Sequence, residues 1–99
     1  MDIREQISKR QQANLEIADI LKGSDLDIRY GIACEFRQLA ERFPDQRAGQ
    51  IITNYIVPEY RTEPTNKSRD ILNKLFPGDP DPFFEESVVT LNRIKAQLA

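Results

Sequence analysis

The feature that most constrains this chain is a mid-chain apolar segment with a proline at each end, Pro44 and Pro58. Pro44 suits the first turn of a helix because its φ is near the helical value and it has no N–H to leave unpaired. Asp45 would then place a carboxylate at the positive end of the helix dipole. We therefore predict a central helix at residues 45–57, on which the other helices pack. Its apolar side, at about 100° per residue, comprises Ala48, Ile51, Ile52, Tyr55 and Ile56.

Apolar residues recur at helical spacing on both sides of this segment, and no stretch combines the alternation of a strand with turn signals. The chain has 99 residues, of which 39% are apolar and 30% are charged, a size that supports one modest hydrophobic core. We therefore predict an all-α fold, a compact single-domain bundle of four to five helices. The predicted helices are at about residues 2–22, 26–43, 45–57, 66–76 and 82–98.

The first predicted helix has an unusual seam. Ile3, Ile7, Ile17 and Leu21 share one side of it, and Arg10 and Asn14 lie on the same line. Residues 1–12 are polar on most sides, so this half could project from the domain or pair with a second copy of the chain. In a pair, the two polar seam residues would restrict the register. The alternative is a frayed helix in solvent, because short isolated helices are marginally stable.

The second helix is predicted to start at a capping-box pattern, Ser24 followed three residues later by Asp27. Tyr30 and Cys34 would project from its polar side and are candidates for partner binding, the alternative being that the first helix covers them. Its broad apolar face would comprise Ile28, Ile32, Ala33, Phe36, Leu39, Ala40 and Phe43.

The last helix is predicted to start at Pro82, with Asp81 as its cap and Glu85 and Glu86 in its first turn. The rigid, proline-rich turn before it cannot be helix or central strand. The apolar face of this helix would comprise Phe84, Val88, Leu91, Ile94 and Leu98.

The sequence lacks the residues that most catalytic sites need. It has no histidine and a single cysteine, so the histidine-dependent nucleophilic mechanisms have no base and no disulfide can form within the chain. No glycine-rich phosphate loop is present. The acids at positions 79–86 are interrupted by prolines, which a helix–loop–helix calcium site does not tolerate. We therefore expect no catalytic residues, no metal and no cofactor, and a protein that is not an enzyme.

Neither a membrane nor a secretory pathway is indicated. No apolar run approaches the roughly 20 residues of a spanning helix, and the N-terminus lacks the apolar stretch of a signal peptide. A net charge of −2 also argues against a dedicated binder of anionic membranes. We predict a cytoplasmic location.

The most favoured function is interaction with another protein or with a second copy of the chain. On the central helix, Arg47, Gln50 and Asn54 form a polar stripe opposite the apolar side, and arginine is enriched in interface hot spots. The alternative for Arg47 is a simple surface ion pair with an acid of a neighbouring helix.

A second possible function is weak association with nucleic acid. The only locally basic segment lies at residues 60–74, and its cations could contact phosphates. The acidic balance of the whole chain opposes tight binding, so a solvated face is the favoured explanation. The residues concerned are Tyr60, Arg61, Lys67, Arg69 and Lys74.

Two short motifs resemble a known group of sequences. Residues 44–50 read Pro-Asp-x-Arg-x-Gly-Gln, and residues 81–87 read Asp-Pro-Phe-Phe-Glu-Glu-Ser. This resembles short uncharacterised open reading frames of bacteria and their prophages or mobile elements, over roughly residues 39–94. Those sequences have leucine and phenylalanine where this chain has Gln46 and Ala48, and a second acid after the position of Glu86. The group has no assigned activity, so the resemblance implies no catalytic residues. It implies that Arg47 and Glu86 face one another or a common partner.

Overall fold

The computed structural model describes residues 2–76 and 84–98, and the all-α class and the single compact domain are confirmed. The α-helices are α1 (Ile3–Leu21), α2 (Asp25–Tyr30), α3 (Ile32–Arg42), α4 (Ala48–Ile51), α5 (Asn66–Leu75) and α6 (Ser87–Leu98). A π-helix at Ile52–Ile56 continues α4, and a 3-10 helix at Pro58–Arg61 follows it. Within the described residues, no helix is both long enough and apolar enough to cross a membrane.

The core lies where α1, α3 and α6 surround the central segment. Ile17, Leu21, Phe36 and Ile51 are completely buried there, and α5 adds Ile71, Leu72 and Leu75. Glu86 contacts Arg10 and Lys95 contacts Glu16, which shows that α6 runs alongside α1 in the same direction. It therefore begins level with Arg10 and leaves the first two turns of α1 without cover from α6.

The predicted start of the central helix is wrong. Residues 44–46 form a turn, and the helix begins at Ala48. The carbonyl oxygens of Asp45 and Gln46 accept hydrogen bonds from side chains of α1 instead of from the next turn of a helix. The side chain of Gln50 accepts from the backbone N–H of Arg47 at 2.8 Å, which fixes the helix start at this point.

The far end of the central segment also departs from the α-helix that we expected. The N–H of Val57 donates to the carbonyl of Ile52, five residues earlier, which is the π-helical pattern. The wider turn changes which side chains point inward. Thr53 is buried and its hydroxyl donates to the carbonyl of Gly49 at 2.8 Å, whereas Tyr55 stays 38% exposed and stacks on Phe43. Tyr55 was expected on the buried side.

The predicted helix at residues 26–43 is two helices that meet at Gly31. This residue has φ +66°, a left-handed conformation that glycine adopts without steric cost. The carboxylate of Asp27 supports the break, because it accepts from the N–H of Ala33 at 3.0 Å and from the N–H of Gly23 at 3.1 Å. The break changes the phase of the helical faces, so Ile28 is 78% exposed rather than part of the core.

The last helix begins at Ser87, later than predicted, and Asp81 and Pro82 lie outside the described residues. Its buried side differs from the expected one, since Phe84 and Val88 are exposed. The side chain of Ser87 explains the rotation, because its oxygen accepts a hydrogen bond from the buried N–H of Ala48 at 3.0 Å. Among the α6 side chains that the structure describes, the buried ones are those of Ser87, Thr90, Leu91 and Ile94.

Candidate interaction cleft

A cleft of about 350 Å³ opens where the N-terminal half of α1, the loop at residues 43–47 and the start of α6 meet. These three segments are far apart in sequence, so the cleft depends on the tertiary fold. Three cations, one amide, one valine and one carboxylate are the described side chains of its wall. The lining residues are Gln6, Lys9, Arg10, Arg47, Glu86 and Val88.

Arg10 is the residue that holds the three segments together. Its Nε donates to Oε1 of Glu86 at 2.7 Å and its Nη2 donates to Oε2 at 3.2 Å, so the carboxylate is bound by two parallel hydrogen bonds. Its Nη1 donates to the backbone carbonyl of Asp45 at 2.7 Å. Only 15% of the Arg10 side chain is exposed. The position of Arg10 in the apolar seam of α1 is therefore explained by contacts within the chain.

Arg47 approaches the same carboxylate from the loop, with its Nε 3.3 Å from Oε2 of Glu86. The implied proximity of Arg47 and Glu86 is confirmed, but Arg10 makes the shorter contact. The hydrogen bonds from Arg10 lower the pKa of the Glu86 carboxyl from its ordinary value, and the one from Arg47 adds to the effect. Glu86 is therefore ionised throughout the neutral range.

Two hydrogen bonds, one buried and one partly buried, fix the wall behind the cleft. Asn14, which is fully buried, donates from its side-chain nitrogen to the carbonyl of Gln46 at 2.8 Å. On the other side, Ser87 binds the N–H of Ala48. Because buried polar groups are costly to leave unpaired, these contacts hold the loop between α1 and α6. Arg10 and Asn14 thus fix a loop of their own chain, and these contacts account for the two polar residues of the seam without a pair of chains.

The cleft carries more positive than negative charge. Of the lining residues that the structure describes, Lys9, Arg10 and Arg47 contribute three cations and Glu86 is the only acid. Among the described residues Lys9 has no ion-pair partner, and the two terminal nitrogens of Arg47 form no hydrogen bond. This local excess contrasts with the net charge of −2 of the whole chain.

The structure separates the residues of the predicted polar stripe. Arg47 lines the cleft, whereas Asn54 is exposed on the π-helix. The side chain of Gln50 accepts a hydrogen bond from the backbone N–H of Arg47. Sequence reasoning did not place Lys9 or Val88 in a site, and it found Glu86 through the resemblance alone. The signal that could have found the cleft was Arg10, a cation in an otherwise apolar seam.

The other predicted partner-binding residues lie away from the cleft. The hydroxyl of Tyr30 donates to Asp70 at 2.9 Å, so this side chain is used within the fold. Its pKa is raised by that hydrogen bond, which also lowers the pKa of Asp70. Cys34 is exposed in a second cavity of about 350 Å³, which lies at the C-terminal end of α1. That cavity is lined by Ala18, Asp19, Lys22, Asp27, Ala33, Cys34 and Arg37.

The basic segment at residues 60–74 is interleaved with acids. Lys74 lies 2.7 Å from Asp25 and 3.8 Å from Asp70, and the contact with Lys74 lowers the pKa of Asp25. Lys67 lies over the ring of Tyr30 at 5.8 Å. Of the other predicted residues, Arg61 and Arg69 are exposed and Tyr60 is partly buried against the core. A phosphate backbone would meet carboxylates here as well as cations, so this geometry gives nucleic-acid binding little support.

Comparison with protein-family models, curated proteins and solved structures finds no match. The resemblance to prophage reading frames therefore stays a prediction. Among the described residues, no three His, Cys, Asp or Glu side chains are grouped so that they could hold a metal ion. The properties of the cleft itself are the remaining basis for a functional argument.

Proposed function

We propose that this chain is a non-catalytic protein-interaction module that binds a partner protein in the cleft between α1, the loop at residues 43–47 and α6. The observation that carries the proposal is the exposure of Val88. This side chain lines the cleft together with three cations, and 44% of it is exposed. Protein interfaces have an apolar core, and arginine is enriched among the residues that contribute most to binding.

The surface extends from the cleft along α1. Ile3, Gln6 and Arg10 are spaced at i, i+3 and i+7, so they share one face of the helix. Ile3 is 70% exposed, and α6 begins too late to cover it. The cleft and this uncovered face together offer a partner an apolar contact at each end and polar groups between them.

The electrostatics of the cleft support binding over acid–base chemistry. A general base works best when its pKa is near the working pH. Glu86 has the opposite property, since its arginine partners lower its pKa.

A matched pair of variants tests the proposal. Val88 and Val89 are adjacent and similarly exposed, at 44% and 49%, but only Val88 lines the cleft. Peptides from a random display library should be selected on the immobilised protein and then measured against Val88→Asp and Val89→Asp. We expect selected peptides to lose at least about tenfold in affinity for Val88→Asp, because burying a charge opposes binding. Affinity for Val89→Asp should stay within about twofold of the parent protein.

Three results would count against the proposal. The library could yield no binder, the two variants could lose affinity equally, or the selected peptides could bind elsewhere. Chemical-shift mapping on the parent protein distinguishes the last case, because peptides in the cleft must perturb Val88 and Arg47.

A further inference from the structure

We infer that the partner presents an acidic segment, with a carboxylate that binds Lys9 and Arg47 and an apolar side chain that packs on Val88. This inference rests on the proposed function and adds the chemistry of the ligand. Within residues 2–76 and 84–98, the cleft offers three cations to one acid. The donors that its own acid leaves unused are the Lys9 ammonium and the terminal nitrogens of Arg47.

Glu86 shows that the guanidinium groups of this site already bind a carboxylate. Arg10 uses both Nε and Nη2 on it, and this geometry matches the two oxygens of a carboxylate. Arg47 reaches the same group with Nε alone. A second carboxylate can therefore bind on the Arg47 and Lys9 side while Arg10 stays bound to Glu86.

The same contacts give Glu86 a measurable effect on the ligand. Two carboxylates that share Arg47 repel one another, so Glu86 should weaken the binding of an acidic ligand. Neutralising Glu86 should strengthen that binding, whereas neutralising Lys9 should weaken it. A purely structural role for Glu86 predicts instead that neutralising it weakens the binding of the ligand, because loss of its ion pairs would loosen the cleft.

The test uses a capped peptide of alternating glutamate and leucine, and its glutamine analogue as the neutral control. Affinities for the full chain would be measured by titration calorimetry at low salt. We expect the glutamate peptide to bind at least about tenfold more tightly than the glutamine peptide, since charge-assisted hydrogen bonds are stronger than neutral ones. The preference should shrink as the ionic strength rises to about 0.15 M, because the cleft is open to solvent.

Three variants locate the effect. Lys9→Gln should lose about tenfold in affinity for the glutamate peptide, and Glu86→Gln should gain affinity. Lys22→Gln changes the net charge equally at the far end of α1 and should bind like the parent protein. If Glu86→Gln fails to fold, Lys9→Gln against Lys22→Gln still decides the result, because neither lysine has an ion-pair partner among the described residues.

Each outcome has a separate meaning. Equal binding of the glutamate and glutamine peptides overturns the acidic ligand and leaves the interaction module standing. Equal losses in Lys9→Gln and Lys22→Gln, or equally tight binding of a single-stranded oligonucleotide of the same charge, would show general attraction of anions and overturn the inference. Failure of every displayed peptide to bind would overturn the proposed function as well.

Discussion

Arg10 binds the carboxylate of Glu86 through two nitrogens, although the two residues are 76 positions apart in the chain. A third nitrogen of the same guanidinium binds the carbonyl of Asp45. One side chain thus connects the first helix, the loop before the central segment and the start of the last helix. The contact fixes the geometry of the cleft and contributes to the stability of the fold.

Replacing Arg10 should cost more stability than replacing Arg47. Arg10→Met removes hydrogen bonds to Glu86 and to a backbone carbonyl from a side chain that is only 15% exposed, so we expect a loss of about 2 kcal/mol. Arg47→Met removes one longer contact at a 30% exposed side chain, and its cost should stay below about 1 kcal/mol. Urea denaturation of the two variants measures the difference. Equal losses would show that the additional hydrogen bonds of Arg10, to Glu86 and to the Asp45 carbonyl, contribute nothing to stability.

Exchanging the charges of Arg47 and Glu86 should fail to restore stability. In the double variant Arg47→Glu with Glu86→Arg, the new arginine would face Arg10, which lies 2.7 Å from the carboxylate in the parent protein. Like charges at this distance are destabilising. Adding Arg10→Met to the double variant removes the repulsion, so this triple variant should be more stable than the double one. Full rescue of stability by the double exchange alone would mean that Arg10 does not repel a cation at position 86.

Asn14 tests the loop attachment in the same way. It is fully buried and donates to the carbonyl of Gln46 at 2.8 Å. Asn14→Ala leaves that carbonyl with one partner fewer and opens space in the core, so it should cost about 1–3 kcal/mol. Gln12→Ala, at an exposed position of the same helix, is the control and should change the free energy of unfolding by less than about 0.5 kcal/mol. Similar effects in both variants would contradict the attachment.

The sequence predicted the helical class and most of the core because these depend on apolar periodicity. Ile51, Ile52 and Ile56 are buried as their spacing predicted. Helix starts were less predictable, because they depend on distant hydrogen-bond partners. Pro44 and Asp45 favour a helix start locally, but Arg10 and Asn14 bind the carbonyls of the turn.

The phase of α6 was missed for a similar reason. Apolar spacing placed Phe84 and Val88 inside, whereas a hydrogen bond from Ala48 draws the small polar Ser87 inward. Periodicity could not predict the candidate site itself, since Lys9 and Val88 line one cleft only because α6 packs alongside α1. Gly31 lies inside the second helix as we predicted it, and our prediction did not treat this glycine as a break between two helices.

Gly31 should be sensitive to any side chain. Nothing lies within 4 Å of a Cβ added there, so a clash is not the cause. The cost comes from φ +66°, which an L-residue adopts at a penalty of about 1–2 kcal/mol. Gly31→Ala should therefore lower the free energy of unfolding by about 1 kcal/mol, and Gly31→Asn should lose less, because asparagine tolerates this conformation. Thermal and urea denaturation would measure both, and equal stability of parent protein and alanine variant would show that α2 and α3 can join without the left-handed residue.

Asp27 should contribute to an acid-sensitive stability. Its carboxylate accepts from the N–H groups of Gly23 and Ala33, and these two hydrogen bonds lower its pKa below the ordinary value of 3.8. A carboxyl whose pKa is lower in the folded state stabilises the fold above pH 3.8, and this contribution is lost as the pH falls through the lowered value. Asp27→Asn removes the titration, so its stability should fall less steeply below pH 4 than that of the parent protein.

The slope should not vanish in Asp27→Asn, because Asp25, Asp70 and Glu86 also have lowered pKa values. Urea denaturation at pH 6 and at steps below pH 4 measures the slope, and NMR titration of the Asp27 carboxyl locates its own midpoint. Glu86→Gln serves as the comparison, since it removes a different lowered carboxyl at the other side of α1. If Asp27→Asn and the parent protein lose stability in parallel, the two backbone hydrogen bonds do not favour the ionised carboxylate in the folded chain.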